Sequence, residues 1–171
     1  MYLAQVTCYD IMYACSQLAR ALSKPSKVHM GAAKHLLRYL AGTKDFTITY
    51  KRGKFILDAF SDANWGNNPD NGKSTSCYIV LMCKAPIIFK TGQQSLTAMS
   101  TMEAELVAGV LAMKAAVFSS NMMKELGFGT EFEQVPVNIH NTATLHVIGN
   151  QAFSSRTKHI CLLYTSPSPR D

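Results

Sequence analysis

The chain has 171 residues, 47% of them apolar, and a formal net charge of +6. That is enough apolar material for one ordinary domain core with an appendage, which excludes a disordered tail as the whole protein. The longest uninterrupted apolar run, Tyr78 to Cys83, is far too short to cross a bilayer, and the N-terminus lacks a basic-then-apolar targeting pattern, so an intracellular soluble protein with no membrane partner is expected.

Charge is distributed unevenly. Residues 1–44 hold six Lys/Arg against one Asp, whereas residues 45–160 hold ten Lys/Arg against nine Asp/Glu. A basic helical lobe beside a nearly neutral domain suits contact with phosphates; a solvated helix face is the plainer alternative. Five cysteines (Cys8, Cys15, Cys77, Cys83, Cys161) are odd in number and never approach Cys-x-x-Cys spacing. Neither a disulfide framework nor a zinc site is indicated, and they read as small core residues.

Helical spacing covers residues 6–22. Pro25-Ser26 then introduces a second helix in which Val28, Ala32, Leu36, Tyr39 and Leu40 share a stripe, with Lys34, His35 and Arg38 elsewhere and Gly42 as its stop. Phe46, Ile48 and Tyr50 alternate with threonines in a strand pattern, and Lys51-Arg52-Gly53-Lys54 predicts a turn into the apolar run that ends at Asp62. Two more strands are expected near 77–82 and 86–90. The segment 101–125 predicts a long helix: Ser100 and Glu103 have capping-box spacing, and Leu126-Gly127 closes the far end beside Lys124. Glu105, Gly109, Ala112 and Ala116 fall on one face of it, where small residues would let the helix lie close to a sheet and carry Glu105 toward Asp62. Residues 135–139 predict a buried strand terminated by His140, and Asn141 caps a short helix ending at Gly149. Strand, hairpin, helix, strand, helix is an α/β order.

Asp62 at a strand end and Glu105 in the first turn of a helix point to metal chemistry, because Mg²⁺ is a hard cation that takes oxygen ligands. Each also has a plainer reading, Asp62 as a turn or cap acid and Glu105 as an acid favoured by the helix dipole. Glu103 is better explained by the cap.

Taken together, Ala33-Lys-His-Leu-Leu-Arg-Tyr-Leu-Ala-Gly-Thr-Lys44, Phe60-Ser-Asp-Ala-Asn-Trp-Gly66, Lys73-Ser-Thr-Ser76, Ser100-Thr-Met-Glu-Ala-Glu105 and Ser155-Arg-Thr-Lys-His-Ile160 resemble the ribonuclease H region of copia-type LTR retrotransposon Pol polyproteins. Each stretch is weak alone; five in order form a specific signal over residues 5–160. The resemblance implies that residues 1–44 are the helical end of a reverse transcriptase and that residues 45–160 begin a ribonuclease H-like α/β fold, a mixed sheet with packed helices. It also implies cleavage of RNA in an RNA–DNA hybrid by four carboxylates around two Mg²⁺ ions, with Asp62 and Glu105 as the first two. Its implied partners are an RNA–DNA hybrid or other nucleic acid and the reverse transcriptase region of the same polyprotein; its setting is a cytoplasmic particle or the nucleus.

Departures from the family pattern are local and chemically pointed. The third carboxylate should be an Asp in a Cys-Asp-Asn-Gln stretch, where this chain has Ile139-His-Asn-Thr142. His140 brings nitrogen in place of oxygen and removes a negative charge, and it reads as a polar substitution more readily than as a new ligand. Asn64 stands where the family has a second Asp, and Cys77 where it has Gly. The fourth carboxylate would lie beyond the resemblance, because residues 161–171, Cys-Leu-Leu-Tyr-Thr-Ser-Pro-Ser-Pro-Arg-Asp, back-translate to a sequencing-library transposase adapter and are read as a non-native tail. The expectation is therefore a C-terminally truncated domain of ribonuclease H ancestry with impaired Mg²⁺ binding and defective catalysis; the alternative is a non-catalytic nucleic-acid-binding or non-functional remnant. Lys34, Arg38 and Lys73 are the candidate phosphate contacts, although Lys73 also suits a plain turn, and Trp65 is expected to pack under the site.

Overall fold

The computed structural model describes residues 2–51, 56–128, 135–142 and 144. Three helices come first: α1 (Tyr2–Val6), α2 (Met12–Arg20), preceded by a 3-10 turn at Tyr9–Ile11, and α3 (Lys27–Gly42). The strands β1 (Leu57–Asn64), β2 (Thr75–Met82) and β3 (Ala85–Gln93) follow, then the helix α4 (Thr101–Glu125) and the short strand β4 (Val137–Ile139). They form a four-stranded mixed sheet in the order β3-β2-β1-β4. β1 pairs antiparallel with β2 and parallel with β4, so the strand carrying Asp62 is interior, as expected. This mixed α/β architecture is compatible with a ribonuclease H-like fold.

Alternation along β1 decides which side chains face α4. Leu57, Ala59 and Ser61 are buried while Phe60, Asp62 and Asn64 are exposed, as a period of two requires. Leu57, Ala59 and Val80 meet Ala116 and Met123 of α4 in the main core. Small residues set the distance between these layers: Ala104, Ala108 and Ala112 are fully buried, and a Cβ on Gly109 would stand 2.7 Å from Ile139 Cδ1. By length and composition α4 could cross a membrane, yet half of its apolar stretch is buried inside the fold, which identifies it as the core helix.

Both ends of α4 close as the residues predict, with one correction. The Ser100 hydroxyl accepts from the Glu103 N–H at 3.2 Å, but Glu103 Oε2 accepts from the Met99 N–H at 2.7 Å and not from that of Ser100. At the other end Gly127 has φ of +87°, and the N–H groups of Gly127 and Phe128 donate to the Lys124 and Met123 carbonyls, a Schellman closure that a residue with a Cβ would resist. The hairpin joining β2 and β3 turns at Cys83-Lys84 with φ of 52° and 67°. Tight two-residue hairpins need such values, although neither residue adopts them readily.

Several expectations are overturned in the N-terminal half. Residues 46–50 form no strand: Phe46 is 76% exposed, and the Tyr50 hydroxyl donates to the Pro86 carbonyl at 2.6 Å, tethering the segment as coil beside β3. Alternation alone did not add this segment to the open edge of β3. The helix expected over 6–22 is interrupted between Val6 and Met12. α3 starts at Ser26 as expected, reinforced by an unforeseen capping box in which the Ser26 N–H donates to His29 Nδ1 at 3.1 Å. Its stripe is not a core face. No α3 residue is buried; Leu36 and Leu40 reach the small cluster of Ala4, Ile11 and Met12, together with Phe89 of β3, whereas Val28 is 78% exposed. Of the cysteines, Cys8 and Cys15 are partly buried against this small cluster, as expected of core residues, whereas Cys83 is only partly buried and Cys77 is exposed. The turn at 52–54, the end of the short helix near Gly149, the 155–160 motif and the 161–171 tail lie outside the described residues.

Candidate metal centre

Asp62 and Glu105 come together. The parallel ladder between β1 and β4 ends at Ser61 opposite Ile139, one residue short of both Asp62 and His140, and there the Glu105 carboxyl comes within hydrogen-bonding reach of Asp62. The Ala63 N–H donates to Asp62 Oδ1 at 2.9 Å and also favours the ionised Glu105. Glu105 is only 8% exposed, and its Oε2 is buried with no hydrogen-bond partner. Burial pushes the Glu105 carboxyl up, and the Asp62 charge and hydrogen bond push it further, while the Ala63 N–H and His140 oppose them.

Two further side chains border this carboxyl pair. Cys77 stands directly across the antiparallel ladder from Asp62, so both side chains project from the same sheet face, and the thiol lies 3.6 Å from the Asp62 carbonyl oxygen. Crowding around its sulfur raises the thiol pKa first, and the charges of Asp62 and Glu105 raise it further. His140 is exposed at the end of β4, near enough to Glu105 for charge interaction. Among the described residues no three His, Cys, Asp or Glu side chains are placed to hold one metal ion.

On the sheet face away from α4, a groove of about 450 Å³ runs from Asp62 under the N-terminal helices, between Phe60 and Tyr78 on the sheet and Tyr9, Met12 and Tyr13 above. Those helices are attached by polar as well as apolar contacts. Arg20 donates to the Thr75 hydroxyl at 2.6 Å, Thr75 donates to Asn67 Oδ1 at 2.7 Å, and the Tyr9 and Phe89 rings meet at 5.4 Å.

The remaining expected residues are dispersed. Lys34 and Arg38 lie on exposed faces of α3, and Lys73 sits half-buried in the loop before β2, its N–H donating to Asn71 Oδ1 at 3.0 Å. Trp65 does not pack under the site: it is 49% exposed, with its indole N–H donating to the Ala98 carbonyl at 2.9 Å. Asn64 is exposed at the end of β1. Sequence reasoning missed Gln94, a buried amide whose Nε2 donates to Ser76 Oγ at 2.7 Å and to the Ala104 carbonyl at 2.9 Å, fastening the start of α4 to β2 one residue from Glu105. No periodic or motif signal marked it. Cys77 was legible as a departure but not as the neighbour of Asp62, since that follows only from hairpin register.

No protein-family model matches this chain, and no solved structure matches it. It is 34% identical over 156 residues, 91% of its length, to the Retrovirus-related Pol polyprotein from transposon RE2 of Arabidopsis thaliana. It is 30% identical over 164 residues, 96% of its length, to the Retrovirus-related Pol polyprotein from transposon TNT 1-94 of Nicotiana tabacum. The chain spans only 11–12% of these relatives' own length. A shorter relative, the Secreted RxLR effector protein 161 of Plasmopara viticola, is 32% identical over 69% of this chain and 84% of its own length; the chain contains no Arg-x-Leu-Arg sequence. With 30–34% identity along 91–96% of its length, the chain belongs to the retrotransposon Pol polyproteins.

Proposed function

We propose that this chain is the ribonuclease H-like segment of a retrotransposon Pol polyprotein, descended from an enzyme that cleaves RNA in RNA–DNA hybrids and impaired in that chemistry. The observation that carries the reading is the meeting of Asp62 and Glu105 beside the central strand, with His140 at the third corner. An orphaned buried oxygen, Glu105 Oε2, is what a cation-facing carboxylate looks like before the cation arrives. The N-terminal helices, as the end of a reverse transcriptase region, would join the nucleic-acid surface through Lys34 and Arg38.

A pair of Mg²⁺ ions does not fit these residues. Two divalent ions bring about four positive charges and need several carboxylate oxygens at once. Here the two carboxyl groups favour holding a proton on Glu105 that is hydrogen-bonded to Asp62, and the third corner offers an imidazole. The purified chain is therefore expected to show no Mg²⁺-dependent cleavage of a labelled RNA–DNA hybrid above background. Robust cleavage that disappears in Asp62→Asn would overturn the impairment and leave the ancestry standing. Hybrid binding unaffected by any change at Asp62, Glu105, Lys34 or Arg38 would remove the ribonuclease H reading altogether.

A further inference from the structure

We infer that the groove beneath the N-terminal helices is a site for one unpaired nucleotide of a single-stranded nucleic acid, its base among Phe60, Tyr9 and Tyr13 and its phosphate on Arg20. The inference rests on the reading of the chain as part of a nucleic-acid enzyme, and goes beyond it in naming a single strand where that reading needs only a hybrid.

The groove is divided by polarity. Away from its Asp62 end it is apolar: Phe60 lies on the β1 face opposite α4, and Tyr9, Met12 and Tyr13 line the facing wall. The three aromatic residues remain 42–50% exposed, so ring surface is still open. Aromatic rings in a basic groove suit single strands, because every base has a face to stack and stacking tolerates any sequence. A volume of about 450 Å³ lies at the small end of ligand cavities and holds a base with its sugar. Bases of a duplex are stacked and paired, and would have to leave the helix to enter. The wall is also fixed in advance. The Thr91 N–H donates to Met12 Sδ at 3.1 Å, and the Tyr9 ring packs on Phe89.

Arg20 supplies the charge at the other end. Thr75, which lines the groove, is 3% exposed and pairs with Asn64, two residues along β1 from Asp62. Its hydroxyl gives its proton to Asn67 Oδ1, so toward Arg20 it can only accept, and Arg20 Nη2 donates to it at 2.6 Å. One neutral acceptor leaves most of the five guanidinium donors unused, and among the described residues Arg20 pairs with no carboxylate. A half-buried guanidinium without a counter-charge favours an anion, and phosphate oxygens match its planar fork. Asp62 alone would repel a phosphate at this end; Arg20 offsets it. The excess of Lys/Arg in residues 1–44 extends the attraction beyond the groove.

The test is anisotropy titration of the full chain at low salt with a labelled single-stranded oligonucleotide and with an RNA–DNA hybrid of the same length. Tyr13→Ala and Phe60→Ala should each weaken the single strand about fivefold or more and the hybrid by under about twofold. Both residues are exposed, so these variants keep the fold, which circular dichroism verifies. Arg20→Gln should make the slope of log affinity against log salt shallower by about 0.7 for the single strand, and Arg20→Lys should keep it, a distinction that a purely structural role for Arg20 would not produce. A saturating single strand should also shield the Cys77 thiol, which lines the groove, from an uncharged maleimide, while Cys83 in the β2–β3 turn keeps its rate. Unchanged single-strand affinity in both Tyr13→Ala and Phe60→Ala, or an unshielded Cys77 at saturation, would overturn the inference; hybrid binding that depends on Lys34 and Arg38 would leave the proposed function standing. Shielding of Cys77 that grows with protein concentration and without oligonucleotide would give the groove to a second copy of the chain and overturn the inference too. If neither nucleic acid binds at low salt, both readings fail.

Discussion

Gly109 on α4 and Ile139 at the end of β4 approach so closely that a Cβ on the glycine would lie 2.7 Å from Ile139 Cδ1 and 3.9 Å from Ser61 Oγ. This contact sets how near the helix lies to the strands that present Asp62 and His140. Gly109→Val should destabilise the protein by about 1–3 kcal/mol through overpacking. Gly109→Ala should be close to neutral, because a helix-propensity gain of about 1 kcal/mol offsets a small displacement of the Ile139 methyl. Urea unfolding of the two variants checks the pair; equal destabilisation by both would show that the backbone, not side-chain volume, is limiting.

Gln94 anchors the same helix from the other side. Gln94→Ala should cost about 1–3 kcal/mol, because it leaves the buried Ser76 hydroxyl without its partner and removes a donor to Ala104. Gln94→Glu should cost more, since a carboxylate cannot donate to the Ala104 carbonyl and adds buried charge. Thermal and urea denaturation of both variants supply the comparison, and an order of Glu milder than Ala would contradict it.

Glu105 links stability to pH in a direction opposite to that of an ordinary salt-bridged acid. Its folded pKa lies above the ordinary carboxylate value of 4.5 because of burial and Asp62, so the folded chain holds this proton more tightly than the unfolded one. Its contribution to stability is complete below that ordinary value and is lost as pH rises through the raised one. Glu105→Gln, neutral and of similar shape, should remove this dependence and be more stable than the parent at pH 7. Urea midpoints between pH 4 and pH 7, measured with chelator present, decide the sign.

On the exposed α3 surface, Lys34→Glu with Arg38→Glu should weaken binding to an RNA–DNA hybrid at low salt. The slope of log affinity against log salt should become shallower by about 2, near 0.9 for each lost phosphate contact. Stability should change by under about 0.5 kcal/mol, because neither side chain enters the core. Reversing charge is cleaner than deleting residues 1–44, since deletion would strip Phe89 of its partners Ala4, Ile11 and Met12. An unchanged salt slope would remove α3 from the nucleic-acid surface.

What the sequence determined by itself was whatever short-range chemistry enforces. The S-x-x-E spacing and Leu126-Gly127 bounded α4 because capping groups satisfy backbone donors and acceptors within a turn. The apolar run ending at Asp62, and the small residues in register with Glu105, marked the strand and helix face that meet. Tertiary structure decided the rest. Residues 46–50 had a strand's alternation yet do not pair with the edge strand β3 beside which they run; α3 had an apolar stripe and too little neighbouring surface to bury it. Asp62, Cys77, Glu105 and His140 come from four segments of the chain, and only ladder register and close helix packing bring them to one strand end. Pairing and burial are properties of what an element meets, so a local pattern can propose them but cannot complete them.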